Sequence, residues 1–163
     1  MKVKIETYKT VWKEEFAKVK NDLEAVLRAY PTQIDHIGST SVEGLSAKPI
    51  IDILVGVADS EVLDKLIEPL VNKGYVYDAR YNEAMPYRRF FIKTKNSLHG
   101  KIKVTLANED TLKDILQQDN RLAHIHIIPK SSMHWFRHIA FKKYLIEHDG
   151  IRQEYQGLKE CLS

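Results

Sequence analysis

The sequence predicts an α+β domain whose mixed sheet has about four to five strands flanked by helices, and three observations carry that expectation. The first is an N-terminal apolar pattern of helical period, Val11, Trp12, Phe16, Val19, Leu23, Val26, Leu27 and Tyr30. The second is a series of short runs rich in β-branched residues, among them QIDHI, PIIDILVGV and AHIHIIP, separated by turn residues and helical stretches. The third is size and composition. A chain of 163 residues with 44% hydrophobic and 29% charged residues suits one core, with no low-complexity tail, so 1–163 is read as a single domain.

Taken in order, the amphipathic helix runs from about Val11 to Tyr30 and stops at Pro31. Gln33 to Ile37 then form a short strand that turns at Gly38. STSVEGL carries Ser and Thr able to cap a short helix, and PIIDILVGV is a buried strand with Asp52 in its middle. Ser60 can cap a helix through about Asn72, with Gly74 at its C-terminal end. YVYDA, RRFFIKT and KIKVTLA follow as strands. In NEDTLKDILQQDNR, residues Leu112, Ile115 and Leu116 fit one helical face, and AHIHIIP is the last strand. Ser131 or Ser132 opens a helix to about His148, and a short helix follows Gly150.

Several function classes fall away on composition. The N-terminal segment MKVKIETYKTVWKEEF has no apolar core of the signal-peptide kind, and the lone Cys161 cannot close an intramolecular disulfide, which together predict a cytoplasmic protein. No apolar run approaches the roughly 20 residues of a membrane span. A net charge of +3, spread along the chain, welcomes anionic ligands; without a basic stripe interleaved with aromatics it argues against a nucleic-acid surface.

The stretch HIGSTSVEGLSAKPIID concentrates the candidate chemistry. Gly38 lets backbone approach a ligand, and Ser39, Thr40 and Ser41 at the following helix start can bind phosphate oxygens; ordinary turn and cap roles explain the same residues. Asp52, a carboxylate inside an apolar strand, is expensive to bury unless paired or liganded, and a hard oxygen there could hold a cation against a phosphate. Lys48 could reach the same phosphate or be solvated. Of Arg88 and Arg89, alternation sends one to each face, so one arginine is expected at the cleft, although strand arginines often pair with carboxylates. His124 and His126 share a strand face opposite Ile125 and Ile127, and they could ligate a metal, bind phosphate or transfer a proton, or simply be satisfied locally. His36, just before Gly38, invites the same alternatives. His134, His138 and His148 read as surface residues, and the aromatics from Trp135 to Leu145 as core.

HIGSTSVEGLSAKPIIDI resembles the GrpB family of bacterial proteins, itself similar to a diverged branch of the nucleotidyltransferase superfamily. Weaker matches cover Tyr8, Trp12, RRFF at 88–91, HIHI at 124–127, FKKYL at 141–145, Tyr155 and LK at 158–159, whereas Lys95 to Asn120 match least. The resemblance implies a nucleotidyltransferase-like fold that binds a nucleotide or other phosphorylated small molecule. The superfamily pattern lends roles to Gly38 and Ser39 at a phosphate and to Asp52 in catalysis, and the family match favours His124 and His126 beside it; by position, Thr40, Ser41, Lys48, Arg88 and Arg89 are the candidate companions at the phosphate. The resemblance also implies a divalent cation, Mg or Mn, on Asp52 and His126. The superfamily pattern wants a second carboxylate two residues after Asp52, where this chain has Leu54, so binding is expected to outrank transfer. Family association suggests a functional link to dephospho-CoA kinase. The alternative is a non-catalytic accessory or protein-interaction module in nucleotide or coenzyme metabolism.

Overall fold

In the computed structural model, which describes residues 4–96, 100–113 and 115–162, six strands form one mixed sheet. Helix α1 (Val11–Val26) leads to β1 (Gln33–Ile37), β2 (Ile51–Val57), α2 (Ile67–Asn72), β3 (Val76–Asp78) and β4 (Arg89–Thr94). Then come β5 (Lys103–Val104), β6 (Arg121–Pro129), α3 (Met133–Glu147) and α4 (Asp149–Leu162). The spatial order is β1-β2-β6-β4-β3-β5, with β2–β6 and β3–β5 parallel and the other pairs antiparallel. The α+β class is as the sequence predicts, with one more strand than expected, and KIKVTLA contributes only the two residues of β5.

Alternation sorts the side chains onto two faces. Ile51, Ile53, Val55, Ile125, Ile127 and Phe91 point to one side, where Trp12, Val19, Leu23 and Leu27 of the first helix and its C-terminal turn cover them. On the other side, Ile37, Leu54 and Ile128 pack against Trp135 and Ile139 of α3. That second layer covers only part of its face. Asp52, His124 and His126 lie beyond it, on the same side of the sheet as Leu54.

Local chemistry explains where elements depart from the periodic reading. Helix α1 ends at Val26 rather than Tyr30, consistent with Pro31 disfavouring helical backbone at the residue before it. The helix expected from Ser60 to Asn72 is instead a 3-10 segment, Ser60–Leu66, followed by α2. Pro69 sits in the first turn of α2, where a missing N–H is tolerated; in one continuous helix it would remove an interior hydrogen bond. Asp59, not Ser60, supplies the cap, accepting from Glu61 N at 2.9 Å. The periodic face of Leu112, Ile115 and Leu116 does not produce an α-helix among the described residues, residues 97–99 and 114 lying outside them. Short 3-10 turns at Leu106–Asn108, Asp110–Leu112 and Gln118–Asn120 do the work, and Leu112 and Leu116 still pack, on Val76, Phe90, Ile92 and Val104. The last helix, α4, spans 14 residues and is longer than expected. Among the described residues, no helix is long and apolar enough to cross a membrane.

His36 belongs to the core-facing side of β1. It stacks on Phe16, with ring centroids 4.7 Å apart, and its Nε2 is 2.8 Å from Thr40 Oγ1. Burial, reinforced by the Lys142 ammonium, pushes its imidazole down to about 4. The unfolded imidazole protonates near pH 6.5, while the folded one stays neutral until about pH 4. The stability tied to His36 is therefore complete above pH 6.5 and drains away as the pH falls from 6.5 to 4, by about 3 kcal/mol. Urea unfolding between pH 4 and 7 should give a shallower acid slope for His36→Gln than for the wild type, and parallel slopes would contradict this.

Candidate functional site

The site is assembled by strand register. In the parallel β2–β6 ladder Asp52 stands opposite His124 and Leu54 opposite His126, and on the antiparallel side Ile37 of β1 stands opposite Asp52. Asp52, His124 and His126 therefore project to one face as neighbours. Asp52 Oδ1 lies 3.3 Å from His126 Nε2 and 3.6 Å from His124 Nδ1. Burial by itself would push the Asp52 carboxyl up, but the two histidines outweigh it and hold the group far below the usual carboxylate range. His126 is shifted down, because its burial exceeds the help it receives from Asp52.

A second ring of residues fixes these three. Arg88 Nη1 lies 3.1 Å from His126 Nδ1, and Arg121 Nη1 lies 3.1 Å from His124 Nε2. Arg88 rests over the Phe90 ring, 5.0 Å from its centroid, and Arg121 Nε donates to Leu116 O at 2.8 Å. His138 of α3 approaches His126 with centroids 6.0 Å apart, and burial shifts it down. This corrects its reading as a surface residue. His134 is likewise drawn in, stacked on Tyr87 at 3.6 Å between centroids.

The turn after β1 completes the site. Gly38 has φ 70° and ψ −175°, a region essentially restricted to glycine, and a β-carbon there would lie 2.7 Å from Asp52 Oδ2. The turn and the carboxylate are thus built around each other. Ser41 Oγ donates to Gly38 O at 2.6 Å, and Thr40 is buried against His36, so these two hydroxyls serve the turn itself. Ser39 is different. Its Oγ accepts from Lys159 Nζ of α4 at 2.6 Å, and the same ammonium donates to Ser46 O at 3.1 Å. Burial lowers Lys159 from the ordinary lysine value, with Asp52 opposing.

Ser39, Thr40, Lys48, Asp52, His124 and Lys159 line a common cavity of about 240 Å³. A larger cavity of about 410 Å³ lies alongside, with Arg80, Glu109, Leu116 and Arg121 in its wall, and Gln118 lines both. The larger one has no part of the Gly38 turn. Its Arg80 is committed to the fully buried Asp78, at 2.6 Å, and to Glu109, at 2.7 Å, so the smaller cavity is the one the candidate residues share.

Of the residues singled out in the sequence, Ser39, Thr40, Lys48, Asp52 and His124 meet in this cavity, and Arg88 stands behind Asp52 through His126. Arg89 leaves it: alternation turns its side chain to the opposite face, where Nε donates to Asp64 at 2.7 Å. His36 also faces the core, on the other side from Asp52. Lys159, Gln118 and Arg121 carried no chemical signal in the sequence, because a helix or loop residue far from Gly38 gains its place only by packing; Lys159 entered solely through the family match.

The chemistry of the donor set bears on a divalent cation at Asp52 and His126. A guanidinium has donors only, so its approach to a ring nitrogen asks that nitrogen for a lone pair, which would leave the protons of both rings on the nitrogens facing Asp52. Those are the positions whose lone pairs a metal would need. The arrangement does not fit a resident cation.

Leu54 is fully buried beneath α3 with Ile37 and Ile128, so a carboxylate there would be sealed in apolar contacts rather than placed in the cavity. Leu54→Asp is expected to cost more than about 4 kcal/mol in denaturant unfolding, through lost packing plus a buried unpaired charge. Gly38→Ala should cost about 2–3 kcal/mol from its backbone geometry and the clash with Asp52. That cost should shrink in an Asp52→Ala background, and strict additivity would show that the contact carries no energy.

Compared with known proteins, residues 2–163 match the family model described as GrpB protein. The chain is 30% identical over 162 residues to UPF0157 protein YqkA of Bacillus subtilis, covering 99% of this chain but 40% of that protein's length. A 67-residue stretch is 39% identical to dephospho-CoA kinase of Mycobacterium tuberculosis, covering 39% of this chain and 16% of that enzyme. The crystal structure of conserved protein GrpB from Enterococcus faecalis superposes with a TM-score of 0.74 at 31% identity, covering 98% of this chain and 82% of that one. With the family model matching nearly the whole chain, the protein belongs to the GrpB family.

Proposed function

We propose that this protein binds a nucleotide or another phosphorylated small molecule, with the phosphate seated between Ser39, Lys48 and Lys159. The observation that carries this reading is the convergence of Lys159 Nζ on Ser39 Oγ, 2.6 Å apart, in the wall of the cavity that Lys48 and Asp52 also line. A lysine shared between a serine hydroxyl and a carbonyl holds its charge where an anion could collect it. A cavity of about 240 Å³ suits a phosphate-bearing end of a ligand better than a whole drug-sized molecule. The nucleotidyltransferase resemblance points the same way. Transfer chemistry draws less support: among the described residues lining the cavity Asp52 has no second carboxylate beside it, Leu54 is buried, and a carboxyl held so low is a weak base.

A second reading, an accessory module in nucleotide or coenzyme metabolism, is favoured by the exposed apolar side chains of α3 and α4, including Leu158 and, contrary to the core role their helical spacing suggested, Phe136, Phe141 and Tyr144. The partial similarity to dephospho-CoA kinase suggests the metabolic setting for either reading.

Thermal-shift and calorimetric titrations with ATP, CTP, GTP and UTP, each in EDTA, magnesium and manganese, separate the two. A ligand present at 100 times its dissociation constant should add about 2.7 kcal/mol of stability. Lys159→Met should weaken binding by about tenfold or more, as expected for removing a charge-assisted hydrogen bond. No shift with any nucleotide at millimolar concentration would leave the accessory module standing.

A further inference from the structure

We propose that Arg88 and Arg121 lock His126 and His124 in opposite neutral tautomers, so that the Asp52 centre is a closed, metal-free relay of five side chains. Arg88 and Arg121 act as positioning residues, working on Asp52 through the histidines.

The assignment follows from what each atom can do. Arginine has five N–H donors, no acceptor, and a charge it keeps in proteins. His126 meets Arg88 through Nδ1 and His124 meets Arg121 through Nε2, both at 3.1 Å, so those nitrogens present lone pairs. A neutral imidazole then carries its proton on the other nitrogen: Nε2 of His126 and Nδ1 of His124. These two are the atoms that face Asp52 Oδ1, at 3.3 and 3.6 Å. Two independent arginine contacts, from different elements and to different ring nitrogens, thus give the same outcome at the carboxylate.

The arginines are themselves held. Arg88 lies over Phe90 and also within 5.9 Å of the Tyr81 ring centre, while Arg121 is tied to Leu116 O. Both side chains are partly desolvated, which makes their hydrogen bonds harder to exchange for water.

This pattern opposes the usual support of a metal-bound histidine, in which the distal N–H donates to a carboxylate or carbonyl. A cation on Asp52 and His126 would strip the proton from Nε2 and drive it to Nδ1, against an N–H of Arg88. The charges point the same way: one carboxylate already faces two guanidinium groups, with neutral histidines between them. A divalent ion would add to an excess of positive charge, whereas an anion in the adjoining cavity would be attracted without a bridging metal. The tautomer assignment stands whether or not the cavity takes a phosphorylated ligand.

Long-range proton–nitrogen NMR correlation on the full chain labelled with nitrogen-15 at histidine, at pH 7.5, tests it directly. The expected spectrum assigns the proton to Nδ1 of His124 and to Nε2 of His126. The same tautomer at both, or protons on both nitrogens of either ring, overturns the proposal. Manganese titration of the same sample should leave the His124 and His126 signals unbroadened at stoichiometric metal. Arg88→Met combined with Arg121→Met should raise manganese affinity at least tenfold, since the distal nitrogens could then carry the proton. A wild type that already binds manganese at these rings, or a folded double variant with no gain, sinks the claim that the arginines exclude the metal. The wild-type spectrum decides the tautomers even if the double variant does not fold.

Discussion

The Asp52 carboxylate, set into the middle of an apolar sheet, is the constraint around which the rest of this molecule is arranged. A bare carboxylate in that position would be shifted towards neutrality by burial. Here two histidines of the neighbouring parallel strand approach one of its oxygens, and each is backed by an arginine, so the charged form is retained beside the apolar core. The second oxygen occupies the space that a side chain at Gly38 would need. Strand register, turn geometry and side-chain identity are thus coupled at one atom pair, and none can change alone.

This coupling divides one face of the sheet. Toward the C-terminal end of β2, Leu54 is closed under α3 with Trp135 and Ile139, and the layer is apolar. At Asp52 the cover of α3 stops, and α4 takes over along the following turn, packing Tyr155 near Val42 and Leu45 and placing Lys159 on Ser39. The boundary between the two regimes falls within two residues of a single strand. It explains why the position that a two-carboxylate site would use is apolar here: it lies on the sealed side. The carboxylate and its two histidines are backed by two guanidinium groups, so the charge balance around Asp52 is positive.

The opposite face has a simpler logic. Its residues alternate with the site residues along β2 and β6, so each histidine that faces Asp52 obliges an isoleucine to face α1. His36 is the exception, a titratable ring on the apolar side, neutral and stacked on Phe16. Its link to Thr40 ties the core to the turn that carries Gly38, so loss of packing under β1 would be felt at the site.

Period and alternation made much of this legible in advance. The amphipathic first helix, the buried strand around Asp52, the shared face of His124 and His126, and the split of Arg88 from Arg89 all follow from local rules that depend on spacing alone. Proline at 69 and the short apolar steps between 106 and 120 were harder to read, because helical periodicity is indifferent to whether the backbone closes α or 3-10 hydrogen bonds. What the chain could not announce was the company of Asp52. Which arginine meets which ring nitrogen, that Lys159 arrives at Ser39 from 120 residues away, and that Leu54 is roofed while Asp52 is not depend on strand order and helix docking. Those are properties of non-local packing, set by the sum of many weak contacts rather than by any residue's neighbours in sequence.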